Sequence, residues 1–408
     1  MGGSWLRVGV VGPLVPYVSG FALELEGQGY RPGPVCDQVR LMAHVSRWLD
    51  GLGLGVDDLT SERVAEFLVV RRRAGYVLWR SAKGVAPLLG YLGRLGVVPV
   101  PVLVVAATPD ELFLDGYRRY LVEERGLAAS TVTSYLHVAG LFLASRSELP
   151  GLGLVELRAG EVIEFVLAEC CERSVGSAAY VVTGLRSLLR FCYLEGIIAR
   201  PLAEAVPAVA SRRLAGLPRA LDRDAVARLL KSCDRRTVFG RRDFAVLMLL
   251  VRLGLRSGEV AGLRLHDIDW RRGELLVRGK GGKEERLPLP VDVGDAVVGW
   301  LGRGRPRCAV REVFTRVRAP HRGLGRAGVS AIVVAAGKRA GLVGVHAHRL
   351  RHTAATELLR AGAGLGEIGL LLRHESVLTT SIYAKVDRAS LRQLAKPWPV
   401  SVSGKAAR

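Results

Sequence analysis

The stretch "HAHRLRHTAATELLRAG" (346–362) gathers His346, His348, His352, Arg349 and Arg351 into its opening and then runs into helix-forming residues. On a helix, His348, Arg351 and His352 stand at i, i+3 and i+4 and share one face. Leu350, Ala354, Leu358 and Ala361 line another that can pack into a core. An arginine fork donates two parallel hydrogen bonds to phosphate oxygens, so Arg351, together with Arg256 at the start of another helix, suits one phosphodiester whose oxygens gain charge in the transition state. Histidine exchanges protons near neutral pH, a lysine ammonium can protonate a departing alkoxide, and the hydroxyl of Tyr383 can attack phosphorus to give a phosphotyrosine ester. The chain shows no matching carboxylates for two-metal catalysis, so this chemistry needs neither metal ion nor cofactor.

These groups need particular elements to place them. "RRDFAVLMLLVRLGLRSGEVAGLRLHDIDW" predicts a long apolar helix, a turn at Gly254 and a second helix from about Ser257 to before His266, with Arg256 at the junction. "GELLVRGKGGKEERLPLP" predicts a β-hairpin with lysines at its tip. Its Gly-Lys turn lacks the order of a nucleotide phosphate loop and the helix that would follow one. Gly362 is placed to end the histidine-bearing helix, "LGEIGLLL" forms another, and Thr379 or Thr380 caps a short helix carrying Tyr383, with His374 in the bend between.

In these residues the chain resembles the tyrosine recombinases, or phage integrases, over about 218–394. "LGLRSGEVAGLRLHDID" is similar to the family's first arginine box, "HRLRH" to its His-x-x-Arg box and "LLRHES" to its third box. Lys280 stands in the hairpin and Tyr383 at the nucleophile's place. The resemblance implies that Tyr383 attacks a DNA phosphate to give a 3′-phosphotyrosyl link and a free 5′-hydroxyl. Arg256 and Arg351 would hold the nonbridging oxygens, Lys280 protonate the leaving 5′-oxygen, His348 assist proton transfer and His374 orient phosphate or nucleophile. Glu259 would fix the arginine box from within the fold. Lys283 lies near Lys280 and would bind phosphate only; His352 is read as structural, His266 as a helix-end residue, and His321 has no assigned role. Arg373 departs from the family pattern, which usually has glycine before this histidine. The ester is conserved in the phosphotyrosyl link, so no ATP is required, and no cofactor is implied.

The implied fold is mainly α with a small β-sheet: helical DNA-binding bundles followed by an α+β catalytic domain. The expected organisation is an N-terminal helical bundle at 1–107, a candidate additional DNA-binding or arm domain; a core-binding helical domain at 108–206; a linker at 207–217; the catalytic domain at 218–395; and a tail at 396–408. Segments 59–99 and 157–201 parallel one another as helix pairs, which fits either a duplication or two unrelated amphipathic pairs. The tail fits a helix that packs on a neighbouring subunit or folds back on its own.

The net charge of +21 over 408 residues points to a polyanion. Pro13 and Pro16 break the apolar opening and 97–108 is short, so a membrane span is not expected. Six cysteines without CxxC spacing indicate neither zinc nor a disulfide framework and fit a reducing cytoplasm. Candidate DNA-backbone contacts are Arg71, Arg72, Arg73, Arg80, Lys83, Arg212, Arg213 and Lys283, each also compatible with solvated surface charge. The implied partner is a double-stranded recombination site bound by a tetramer of this chain, with accessory recombinases or DNA-bending proteins as further candidates. The setting would be a bacterial or phage-encoded, nucleoid-associated protein that integrates or excises a mobile element. A type IB topoisomerase and a non-catalytic DNA-binding subunit are the alternatives.

Overall fold

The computed structural model describes residues 4–98, 108–146, 154–209, 220–279, 283–373, 380 and 383. The chain forms two compact units: residues 102–216, and residues 1–101 together with 217–408.

The first hundred residues fold as a helical bundle: α1 (Val18–Gly27), α2 (Pro32–Gly51), α3 (Ser61–Arg73) and α4 (Ala82–Arg94). Phe21, Val39, Met42, Leu49, Leu88 and Leu92 close its core. Pro32 opens α2, where the missing N–H costs nothing, and the Thr60 hydroxyl caps α3 by accepting from the Arg63 N–H.

The unit at 102–216 contains α5 (Pro109–Arg119), which runs into a π-helical turn (Tyr120–Glu124), then α6 (Ala129–Ala144), α7 (Ala159–Cys170) and α8 (Val175–Leu194). A reciprocal cap starts α5, the Thr108 hydroxyl accepting from the Glu111 N–H while the Glu111 carboxylate accepts from the Thr108 N–H. Tyr117, Leu121, Phe142, Leu185 and Leu188 are buried together as its core.

The remaining elements are α9 (Arg223–Lys231), α10 (Val238–Arg252), α11 (Ser257–Gly262), β1 (Ile268–Asp269), β2 (Glu274–Arg278), β3 (Glu284–Pro288), α12 (Val291–Arg303), α13 (Arg326–Arg339), α14 (Ala347–Arg360) and α15 (Leu365–Leu372). Residues 245–250 of α10 are all buried, because this helix is packed against α12, α13 and α14. Full burial of such side chains stabilises by roughly 1.5–3 kcal/mol each before entropy is counted, which makes α10 the post around which the site is built. The sheet is antiparallel in the order β1-β2-β3, with Leu275 opposite Leu287 and Arg278 opposite Glu284. The expected hairpin thus gains a short third strand at Ile268–Asp269, where Arg278 bonds the buried Asp267 carboxylate at 2.6 Å.

Candidate active site

Gly254 turns the chain between α10 and α11 at φ +59°, a left-handed conformation that glycine adopts without penalty. Arg256 follows as the residue before α11, and its own N–H donates to Glu259 Oε2 at 2.7 Å. The Arg256 guanidinium donates to Glu259 Oε1 at 2.7 Å and to the Arg373 carbonyl at 3.2 Å, and its side chain remains 41 % exposed. Glu259 is buried; burial alone would raise its pKa, but Arg373 and then Arg256 hold it below the usual carboxylate range.

Helix α14 supplies the second group. The His346 side chain caps it, accepting from the Arg349 N–H at 3.2 Å. Arg351 is only 3 % exposed, so the cationic face it shares with His348 and His352 is turned into the protein at Arg351. Its guanidinium donates to the Gly254 carbonyl at 2.7 Å and to the Leu372 carbonyl, tying the α10–α11 turn to the end of α15. Burial, and next the charge of Arg256, push its pKa down to about 10, so it stays cationic at neutral pH. Ala361, expected on the packed face, is exposed because α14 ends at Arg360 and Gly362 turns away at φ +94°.

The His352 ring lies 4.4 Å from the His348 ring, and its Nδ1 shares a hydrogen bond of 2.8 Å with the Tyr383 hydroxyl. Burial drives the His352 pKa down to about 4, helped by His348 and Arg351, so the imidazole is neutral over the physiological range. His348 is lowered in the same way, by burial first and Arg351 next. Tyr383 is 1 % exposed, and burial raises its phenol to about 12 against the opposing pull of Arg351. Two guanidiniums, two neutral imidazoles and one phenol are therefore gathered from α11, α14 and the residues after α15. Among the described residues, no group of three or more His, Cys, Asp or Glu side chains could hold a metal ion.

The phage integrase family model matches residues 219–390, which contain all of these groups. A putative integrase/recombinase, y4rA of Sinorhizobium fredii, is 41 % identical over 95 % of this chain and 95 % of its own length. The chain belongs to the phage integrase family of tyrosine recombinases. It is a site-specific DNA recombinase. The recombinase is also 35 % identical to the tyrosine recombinase XerD of Mycobacterium tuberculosis, over 69 % of this chain and 96 % of that one. Its fold is shared with XerH bound to its difH substrate (TM-score 0.54, 20 % identity, 72 % of this chain and 97 % of that one). A lambda integrase dimer bound to a core site has the same fold (TM-score 0.52, 21 % identity, 65 % of this chain and 95 % of that one).

Of the residues selected from the recombinase's sequence, Arg256, His348, Arg351 and Tyr383 fall in this cluster. Lys280, His374, Arg212 and Arg213 lie outside the described residues. Lys283 is exposed beside the hairpin tip, where its carbonyl accepts from the Gly279 N–H at 2.7 Å. Arg72, Arg73, Arg80 and Lys83 are exposed, as a backbone-contacting face requires. Arg71 is a correction: it is 5 % exposed, donates to the Leu78 carbonyl at 3.2 Å and lies 4.1 Å over the Tyr76 ring, so its charge is spent inside the bundle. His352, read from the sequence as structural, stands on the hydroxyl of Tyr383; its i+4 place after His348 was the available signal. His321 packs against the α1–α2 turn, its N–H donating to the Gln28 carbonyl at 3.0 Å, and a Cβ on Gly29 would run into its ring.

Proposed function

We propose that this recombinase cuts and rejoins DNA through a 3′-phosphotyrosyl intermediate on Tyr383, in the integration or excision of a mobile element. The observation that carries the reading is the 2.8 Å bond between the Tyr383 hydroxyl and His352, which places a phenol beside Arg351 and His348 although 31 residues separate it from its partner. Attack by the phenol oxygen breaks the bond from phosphorus to the 5′-oxygen. Arg256 and Arg351 stabilise the charge that builds on the nonbridging oxygens, and DNA phosphate takes up donors that now point at Glu259 and at backbone carbonyls. The phenolic proton passes to the histidine pair, Lys280 protonates the 5′-oxygen and His374 orients the phosphate. Rejoining reverses these steps with a 5′-hydroxyl from the partner strand.

The partner is a double-stranded site. A lambda integrase of the same fold is a tetramer on a Holliday junction (TM-score 0.53), which supports a tetramer of this chain on DNA, assisted by accessory recombinases or bending proteins. The exposed cations of the N-terminal bundle and Lys283 contact the DNA backbone. The domain bounds given above, the linker at 207–217 and a tail packed on a neighbour complete the arrangement. Among the described residues no helix is long and apolar enough to cross a membrane, and we place the reaction in the cytoplasm, on the nucleoid.

The test is covalent capture. Purified protein is incubated with DNA flanking its gene, stopped with detergent, and the attached fragments are sequenced. A defined cleavage position with the adduct on Tyr383, lost in Tyr383→Phe while DNA affinity stays within about threefold, is the expected result, because only the nucleophilic oxygen is removed. Cleavage retained by Tyr383→Phe ends the assignment, and plasmid relaxation without recombinant products indicates a topoisomerase.

A further inference from the structure

Arg373 closes α15 in a left-handed conformation, φ +54° and ψ +54°, which an L residue with a long side chain adopts only at a cost. Its side chain is buried, and its Nε has no hydrogen-bond partner among the described residues. Both features weaken the local fold, and glycine at this position would avoid both. Arginine must therefore supply something other than a comfortable turn. It donates to Glu259 Oε2 at 2.7 Å, with both side chains 4 % exposed, and to the Leu371 carbonyl at 2.8 Å. The same carboxylate receives Arg256, and the Arg373 carbonyl accepts from the Arg256 guanidinium. Arg256 is thus held directly by the carbonyl of a residue 117 positions away in the chain, and indirectly through the carboxylate that the two arginines share.

Charge gives this arrangement its purpose. Without Arg373, the buried Glu259 carboxylate would be balanced by Arg256 alone, and part of that guanidinium's charge would be offset where the phosphate is proposed to bind. Glu259 would then oppose a phosphate anion arriving at Arg256. With Arg373 in place, Glu259 is neutralised from behind and the two guanidiniums keep their charge for the phosphodiester. That monoanion gains a second negative charge as the phenol oxygen adds.

We propose that Arg373 is a positioning residue for cleavage, neutralising Glu259 so that Arg256 meets the scissile phosphate with its full charge. This rests on Tyr383 being the nucleophile, and it makes the dependence electrostatic rather than structural. Replacing one nonbridging oxygen of the scissile phosphate by a methyl group removes one negative charge and should remove most of the need for Arg373.

The experiment uses the full chain, the cleavage site mapped for it, and nicked duplexes whose scissile linkage is either the phosphodiester or the methylphosphonate. Single-turnover formation of the Tyr383 adduct is measured for the unaltered protein, Arg373→Gly and Arg373→Lys. Glycine suits the backbone, so Arg373→Gly should fold and bind DNA. On the phosphodiester it should be slower by roughly 10- to 100-fold, less than the loss of a donor that touches the reacting oxygens, because Arg373 acts through Glu259. On the methylphosphonate its rate should lie within about threefold of the unaltered protein, and Arg373→Lys, which keeps a charge, should lie between the two on the phosphodiester. Equal slowing of Arg373→Gly on both linkages, or no slowing on either, overturns the proposal while leaving Tyr383 in place. Absence of a Tyr383 adduct with the unaltered protein instead removes the functional reading, and the proposal with it.

Discussion

At the scale of single residues, the site keeps its proton-exchanging groups uncharged and its phosphate-binding groups charged; burial produces the first outcome, and the high ordinary pKa of arginine preserves the second against it. A neutral His352 can hold the Tyr383 hydroxyl at 2.8 Å, whereas a protonated one could only donate to it and would bring a further positive charge beside Arg351. The titration has a sign that can be measured. Unfolded, the imidazole takes a proton near its ordinary 6.5, and folded only near 4, so between these values the unfolded state binds more protons. Stability should therefore fall as pH drops from about 6.5 toward 4 and be fully present above that window. The ring is partly screened by solvent, so its share is about 1 kcal/mol rather than the full shift. His348, also lowered, adds a contribution of the same sign. Urea unfolding at a series of pH values should give a shallower acid loss for His352→Gln than for the unaltered protein. An identical slope would mean that burial beside His348 and Arg351 does not hold the imidazole neutral.

At the scale of elements, α14 and α15 both pack on the turn that joins α10 to α11. A Cβ on Gly254 would lie 2.6 Å from the Leu372 Cδ2 and 3.4 Å from the Ala354 Cβ, and the Gly254 carbonyl accepts from Arg351. Gly254→Ala should cost about 2–4 kcal/mol, from the left-handed backbone and the overpacking of α15 against α14. The same change should slow cleavage by displacing Arg351. Gly258, inside α11 with nothing within 4 Å of where a methyl would stand, is the control, and Gly258→Ala should be neutral or slightly stabilising. Equal denaturation midpoints for the two variants would exclude this account of the turn. The turn, the hairpin and α14 were legible in the sequence because each is specified locally, by a glycine, by alternating strands around a glycine-rich tip, or by helical spacing. The burial of Arg351, the grip of Arg373 on Glu259 and the placing of Tyr383 on His352 were not, because each depends on groups brought together from distant parts of the chain. Arg71 was misjudged for a related reason: in "RRR" three arginines look alike until the following loop returns Leu78 and Tyr76 to one of them.

At the scale of the whole molecule, a net charge of +21 has to be divided between cations that meet DNA and cations that hold the protein together. Arg71 belongs to the second kind, being buried and bonded to a carbonyl, while Arg72, Arg73, Arg80 and Lys83 are exposed on the same bundle. Each phosphate neutralised by an exposed cation releases condensed counterions and steepens the fall of affinity with salt by about 0.9 in the double-logarithmic slope. Replacing those four exposed residues by alanine together should therefore flatten the slope by up to about 3–4 if all of them contact phosphate. Arg71→Ala should leave the slope unchanged and lower the melting temperature instead, because its loss removes a buried hydrogen bond and ring contact. Affinity titrations against a duplex carrying the cleavage site, at several salt concentrations, separate the two. A slope that Arg71→Ala flattens as much as the fourfold change would place the DNA on a different face, and an unchanged slope in the fourfold variant would confine DNA contact to the other parts of the chain.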